Sequence, residues 1–251
     1  MAPWLTLRRP YEYLVLYGGL LLFGLPILLW SLCAAVLYAI LPRKVSAPMG
    51  QHVLKVLFNA YLAVLKASGL VKFDLDALDA LREERSLIIA PNHPSLIDVV
   101  LVVSRLPHVV CIMKSEIRDN MIFGGSARLA DYIHNNSALG MIRSAADAVR
   151  AGNHLLVFPE GTRTRQGPVN EFKGGFALIA KSAGAPVQTV FIESNSPFLG
   201  KGWPLLKKPV FPLIYRARLG ERFEVRGDVK TFVSDLECYY RETLGSRNIA
   251  G

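Results

Sequence analysis

Cysteine is scarce in this chain: Cys33, Cys111 and Cys238 are the three in 251 residues, and no two form a CxxC pair. That spacing excludes a disulfide framework and a zinc site. The thiols read as reduced packing residues of a cytosol-facing protein. No other group of residues has metal-ligand spacing, so no metal is expected. The G-x-x-x-x-G-K-[ST] pattern of a phosphate-binding loop is missing. A serine nucleophile elbow is missing too, because Gly124-Gly125-Ser126-Ala127-Arg128 fails G-x-S-x-G at its last position. Cys111 lies in an apolar run with no activator. Internal repeats and low-complexity tracts are absent. The most informative absence is charge: residues 14–41 carry none.

Those 28 residues would make a helix about 42 Å long, against a hydrocarbon core about 30 Å thick. The run is too long for a signal-peptide core, and Leu41-Pro42-Arg43 is a poor cleavage site. Pro26, after Gly24, predicts a kink or a break. Two arrangements fit: a single kinked span, or a shallow hairpin bent near residues 24–26. The hairpin keeps Arg8, Arg9, Arg43 and Lys44 on one side, as the positive-inside tendency favours. We therefore expect residues 1–48 to anchor the protein and residues 49–251 to form one domain. In 49–70, His52, Lys55, Asn59 and Lys66 share one stripe of an otherwise apolar helix. Such a helix suits either the bilayer interface or packing on the domain core.

With 29 Lys and Arg against 20 Asp and Glu, the chain carries a formal charge of +9. Its pI is about 9.6 and its mean hydropathy +0.30. A basic chain favours anionic partners. The charge-free head selects an anionic membrane surface over nucleic acid. Downstream, strand-like runs (87–90, 109–113, 131–133, 155–158, 186–192, 211–219 and 222–226) alternate with helix-like runs (94–103, a stretch through 129, 137–150, 174–182 and 231–244). Alternation predicts a single α/β domain with a mixed, largely parallel sheet flanked by helices.

Two polar clusters follow strand-like runs. In Asn92-His93-Pro94-Ser95-Leu96-Ile97-Asp98, a helix entered at Pro94 would let Asp98 reach back to the His93 ring. That contact would fix the tautomer and support the imidazolium, leaving the other ring nitrogen as a general base. With no protein nucleophile in view, the substrate supplies a hydroxyl. The bland alternative is a capping histidine with an incidental aspartate. In Phe158-Pro159-Glu160-Gly161-Thr162-Arg163, Gly161 admits close backbone approach, and Arg163 offers a fork for phosphate or carboxylate. Glu160 would accept hydrogen bonds from a polyol or hold Arg163, and Lys173 adds charge nearby. A solvated loop is the bland alternative.

Together the clusters resemble the N-H-x4-D and F-P-E-G-T-R blocks of the glycerophospholipid acyltransferase family, of lysophosphatidate acyltransferase type. Met113-Lys114-Ser115-Glu116-Ile117 resembles its K-K-E-L segment, and the stretch Phe172-Lys173-Gly174-Gly175 is similar as well. The resemblance runs from about residue 50 to 225. It implies acyl transfer from an acyl-thioester (acyl-CoA or acyl-carrier protein) to a hydroxyl of a membrane lipid acceptor, as in phospholipid biosynthesis. No cofactor beyond that donor is implied. By resemblance His93 is the base and Asp98 its orienter, while Glu160, Gly161, Thr162, Arg163, Lys114 and Lys173 bind substrate. Backbone amides at the helix entrance are the expected oxyanion donors. The place implied is the cell inner membrane, with the catalytic domain on the cytoplasmic face.

Two departures stand out. The family's arginine-bearing G-x-I-F-I-D-R block has as its counterpart Asp131-Tyr132-Ile133-His134-Asn135-Asn136, without the arginine. The V-P-I-x-P-V block has Thr189 at its second proline. An ornithine-type or polyene-type lipid acceptor is therefore an alternative to a lysophospholipid, and an inactive lipid-binding relative a more distant one. The loop 198–209, with Trp203, Lys207 and Lys208, fits a bilayer surface or an ordinary connection equally well.

Overall fold

The structure is a computed structural model that describes residues 3–113, 120, 122–134 and 137–246. Among these, seven strands form one sheet in the order β1-β7-β6-β2-β5-β3-β4. They are β1 (Val71–Asp74), β2 (Ile88–Pro91), β3 (Val109–Met113), β4 (Ile133–His134), β5 (His154–Leu156), β6 (Val187–Ser194) and β7 (Leu213–Phe223). The block from β6 to β4 is parallel. Only β7 runs antiparallel to β6, and β1 follows β7. The expected α/β class is thus the observed one. Fully buried Ile88, Ile89 and Ala90 place β2 at its centre, where a continuous apolar run belongs.

The helices are α1 (Pro3–Ile40), α2 (Arg43–Ala67), α3 (Asp98–Arg105), α4 (Gly124–Leu129), α5 (Ala138–Arg150), α6 (Gly175–Ala183) and α7 (Val229–Gly245), with a 3₁₀ turn at Asp76–Leu81. Ser137 caps α5 by accepting the Gly140 N–H, and Asp228 caps α7 by accepting that of Thr231. α6 ends at Gly184, whose φ of +65° is the left-handed cap that glycine adopts without strain.

The head differs from the expected hairpin. α1 is one unbroken helix that contains both Pro10 and Pro26. The chain reverses at Leu41-Pro42 instead, where Pro42 is extended and α2 begins. α2 then packs back along α1, with Phe23 against Phe58 and Tyr61. Leu16 and Ile27 belong to the same buried cluster as the sheet. The expected boundary at residue 48 therefore falls inside α2, and head and body share one core. α1 meets α4 so closely that a Cβ on Gly125 would lie 1.9 Å from the Ser31 carbonyl. The Ser31 hydroxyl accepts the Gly125 N–H at 2.9 Å. α1 keeps an outer apolar stripe (Leu14, Leu21, Leu25, Leu29, Val36) facing away from the protein.

α2 takes the packed alternative. Leu54, Phe58, Leu62 and Leu65 are buried, while His52, Asn59 and Lys66 face outward. The two expected late strands are one, β7. Gly220, between the two expected runs, is needed there for space: a Cβ would lie 2.4 Å from Thr189 Oγ1 and 2.8 Å from the Tyr239 hydroxyl. β6 accommodates this by a register shift between Gln188 and Val190.

His154, at the opening of β5, is fully buried. Burial, reinforced by Arg85, pushes its pKa down to about 4, with Glu84 opposing.

Candidate active site

The register of the sheet builds the site. Ile89 of β2 pairs with Leu156 of β5. His93 and Glu160 each follow four residues later, so the two polar clusters leave neighbouring strand ends side by side. Carboxyl ends of parallel strands are where open α/β sheets bind ligands. Asn92 fixes the first loop to β6, donating to the Ile192 carbonyl at 2.9 Å and accepting the Ile192 N–H at 2.7 Å.

The helix expected from Pro94 starts at Asp98. A residue before proline avoids helical backbone, and the next amides are committed elsewhere. The Ser95 N–H donates to Asp98 Oδ2 at 2.8 Å, and the Leu96 N–H donates to the Leu199 carbonyl at 3.1 Å. The Asp98 N–H turns back to the Ser95 carbonyl, and the His93 N–H donates to Glu160 Oε1 at 2.9 Å. These four amides are therefore not free as oxyanion donors, contrary to the expectation from the sequence.

The predicted pair is present: His93 Nδ1 lies 2.9 Å from Asp98 Oδ2. Asp98 is fully buried, and the His93 side chain is 13% exposed. Burial pushes the Asp98 carboxyl up to about 6, against the pull of His93. Since Oδ2 accepts from both the Ser95 amide and the ring, the proton sits on Nδ1 and the Nε2 lone pair is left for a substrate. Phe158 stacks on the imidazole with centroids 3.7 Å apart at 16°, fixing the ring plane.

Glu160 lies elsewhere than expected. It is 1% exposed, and its oxygens accept from the His93 amide, the Thr164 hydroxyl and the Asn170 amide. A carboxylate so enclosed meets no polyol; it ties the two motif loops together. Nor does it hold Arg163. That guanidinium donates through Nη1 to the carbonyls of Leu199 and Gly200, at 2.7 and 2.8 Å. Gly161 adopts φ +66°, which glycine tolerates, and it is exposed on the rim beside Thr162 and Lys173. Lys201 Nζ reaches the Thr162 hydroxyl at 3.4 Å. Lys114, Asn135 and Asn136 lie outside the described residues.

Several supporting residues carried no signal in the sequence. Asn170 closes the Glu160 network from ten positions away. The Tyr240 hydroxyl, on α7, donates to the Ala90 carbonyl and accepts the Val190 N–H, holding β2 and β6 beneath the site. Ile97 and Leu199 wall a cavity of about 40 Å³ with Leu16, Gly19, Tyr61 and Leu65. It lies between the catalytic loops and the two N-terminal helices.

A family model described as Acyltransferase matches residues 72–193, a span that contains both clusters. Over that span the chain is similar to glycerophospholipid acyltransferases. Among curated relatives, a 1-acyl-sn-glycerol-3-phosphate acyltransferase of Cocos nucifera is 37% identical over 103 residues, 38% of this chain and 33% of that protein. A lyso-ornithine lipid O-acyltransferase of Pseudomonas aeruginosa is 30% identical over 121 residues, 43% and 46% of the two chains. The chain thus spans about half or less of the length of these relatives. The crystal structure of the 1-acyl-sn-glycerophosphate (LPA) acyltransferase PlsC from Thermotoga maritima shares its fold, with a TM-score of 0.66 at 20% identity over 97% of each chain.

Proposed function

We propose that this acyltransferase moves a fatty acyl group from an acyl-thioester to a hydroxyl of a lysophospholipid-like acceptor at a membrane surface. The observation that carries the reading is the buried Asp98 carboxylate 2.9 Å from His93 Nδ1, which leaves Nε2 basic. Nε2 takes the proton of the acceptor hydroxyl, and the oxygen attacks the thioester carbonyl. As the tetrahedral adduct collapses, the C–S bond breaks and the imidazolium returns its proton to the departing thiolate. An ester and a free thiol result. Asp98 stabilises the imidazolium and holds the ring. Glu160 acts as a positioning residue, keeping the His93 backbone against the second loop.

Gly161, Thr162, Lys173 and the outer edge of Arg163 form the acceptor side. Arg163 uses Nη1 on the loop carbonyls, and its remaining N–H groups are offered to an anionic headgroup. We expect Arg163→Ala to raise the acceptor KM at least tenfold for a phosphorylated lysolipid. An unchanged KM would leave Arg163 with only its loop-pinning role. The absent family arginine and the lyso-ornithine relative favour one second reading, an ornithine-type acceptor. Assaying purified protein on both lysolipids, with labelled acyl-CoA and acyl-carrier protein, separates the two.

The membrane side is the outer stripe of α1. The most apolar 18-residue window of its Arg8–Ile40 stretch has a mean hydropathy of 2.5, yet from residue 12 to 34 its inner face is engaged by the protein. That supports α1 lying in one leaflet, the cytoplasmic one of the inner membrane, with Arg8, Arg9, Arg43 and Lys44 toward anionic headgroups. An acyl tail would enter the cavity beside Ile97. At about 40 Å³ it holds a few waters (roughly 10–15 Å³ each), so a tail enters as α1 and the Leu199 loop part. Because Leu21, Leu25 and Leu29 are exposed, the triple change to glutamate is expected to release a folded protein from anionic vesicles in flotation. Undiminished binding would move the attachment away from α1.

A further inference from the structure

The loop between β6 and β7 is firmly folded, yet it turns an apolar tip outward. From residue 194 to 220 the chain holds no acid, while Lys201, Lys207 and Lys208 fall in the loop. The Lys207 N–H donates to the Pro204 carbonyl at 2.9 Å, so Leu205 and Leu206 occupy the two central positions of a turn. Turn centres usually carry glycine, proline, asparagine or aspartate. Here both leucines are exposed, as is Val210, at 53%, 66% and 84%. Trp203 does not join them. Its ring meets that of Phe198 edge-on at 6.0 Å, its Nε1–H donates to the Lys207 carbonyl at 3.1 Å, and Lys207 Nζ lies 4.9 Å over it. The indole thus braces the turn, and the leucines are its free side.

Single exposed leucines are ordinary, but a contiguous apolar patch marks an interaction surface. This patch runs on into α1. The Tyr17 hydroxyl donates to the Leu206 carbonyl at 3.5 Å, and Lys208 Nζ lies 5.4 Å from the centre of the Tyr13 ring. Tyr17 stands one helical turn from both Leu14 and Leu21, which open the outer stripe of α1. We propose that residues 204–210 form a second lipid-contacting surface, seated in the same leaflet beside α1. The proposal rests on the reading of α1 as the membrane side.

Charge selects a lipid surface over a second copy of the chain. Glu12 is the one acid between residues 3 and 40, and it is buried, held by Lys208 and Arg8. Neither segment therefore shows lipid a bare carboxylate. Lysines around exposed leucines suit anionic headgroups above hydrocarbon. A two-fold pairing of copies would set the same basic patch against itself. The base of the loop is tied to the chemistry. Ser95 Oγ donates to the Phe198 carbonyl at 2.9 Å, and both the Leu96 N–H and Arg163 donate to the Leu199 carbonyl. A tip held in lipid therefore sets where the His93 loop stands relative to the leaflet.

The test uses the full-length protein and vesicles of equal parts phosphatidylcholine and phosphatidylglycerol. Leu206→Cys carries an environment-sensitive fluorophore in a background of Cys33→Ala and Cys238→Ser, which removes the exposed thiols. Vesicles with nitroxide-labelled acyl chains are expected to quench that label at least twofold. Leu206→Glu with Val210→Glu is expected to weaken vesicle binding at least tenfold, and to raise the KM for a lysolipid carried in the vesicles by a similar factor. Its kcat/KM for a short-chain lysolipid dissolved as monomers is expected to stay within twofold, since both side chains are exposed. An unquenched label, unchanged vesicle binding, or equal losses on vesicle-borne and dissolved acceptor would each overturn the proposal. So would a change of oligomeric state in detergent without quenching, which would make the patch a contact between copies. Quenching and vesicle binding require no turnover, so they judge the surface even if the acyl-transfer reading fails. If the α1 triple change releases the protein and the loop change does not, α1 is the membrane side alone and the loop is an ordinary connection.

Discussion

His93→Ala is expected to lower acyl transfer roughly 10²- to 10⁴-fold, the range that a positioned general base supplies, with the protein still folded. Folding survives because the ring is a partial lid over Asp98, not part of the buried cluster. The carboxyl it leaves behind simply takes up a proton, since burial already pushes it up to about 6. Thioester turnover measured beside a denaturation midpoint checks both halves. If the variant keeps more than a tenth of wild-type turnover, another group removes the hydroxyl proton. Glu160 is a poor substitute, because its oxygens are enclosed by backbone and Thr164.

Asp98→Asn is expected to do two opposite things: remove up to about 10⁴-fold of activity, as the equivalent change does in the serine-protease triad, and make the protein more stable at pH 7. The folded-state pKa of Asp98 is raised from 3.8 to about 6. Its contribution to stability is therefore full below about pH 4 and is lost as pH rises through 6. Ionised at neutral pH, it costs about 3 kcal/mol. His154 works the other way. Its folded-state pKa is depressed from 6.5 to about 4, so its contribution is present above pH 6.5 and is lost as pH falls toward 4. That contribution is again about 3 kcal/mol.

Between about pH 4 and 6.5 the two trends nearly cancel in the wild type. Each substitution uncovers the other. Asp98→Asn should lose stability as pH falls across this window, and His154→Gln should gain it. Urea midpoints at pH 7, 6 and 5 read the slopes. An Asp98→Asn protein less stable than wild type at pH 7 would mean that the carboxylate's bonds to Ser95 and His93 outweigh its desolvation.

Much of this was legible in the sequence, for local reasons. The apolar runs ending at Ala90 and Leu156 named the two strand ends that carry chemistry, and β3 runs over the residues expected. The helix-like runs 137–150 and 174–182 match α5 and α6 to within a residue or so at each end. What was illegible depends on distant partners. The late start of α3 follows from Leu96 donating to Leu199, 103 positions on, and nothing between residues 94 and 98 announces that. Glu160 looked available because its enclosing partner Asn170 sits past a glycine turn. α1 misled most. A leucine facing outward and one facing protein are the same letter, so buried Leu16 and exposed Leu21 differ only in the fold. Only the small residues Gly19, Ser31 and Ala34 trace the inner side.

The close seating of Ser31 on Gly125 has a consequence for how the head can be regarded. A tether can be cut and replaced by any other greasy segment. With α1 in the leaflet as proposed, the segment that meets lipid would also be a wall of the cavity beside the catalytic loop, to which it contributes Leu16 and Gly19. Depth in the leaflet and the shape of that cavity would then be set by one helix. Whatever tilted that helix in the bilayer would change which fatty chains fit beside the histidine.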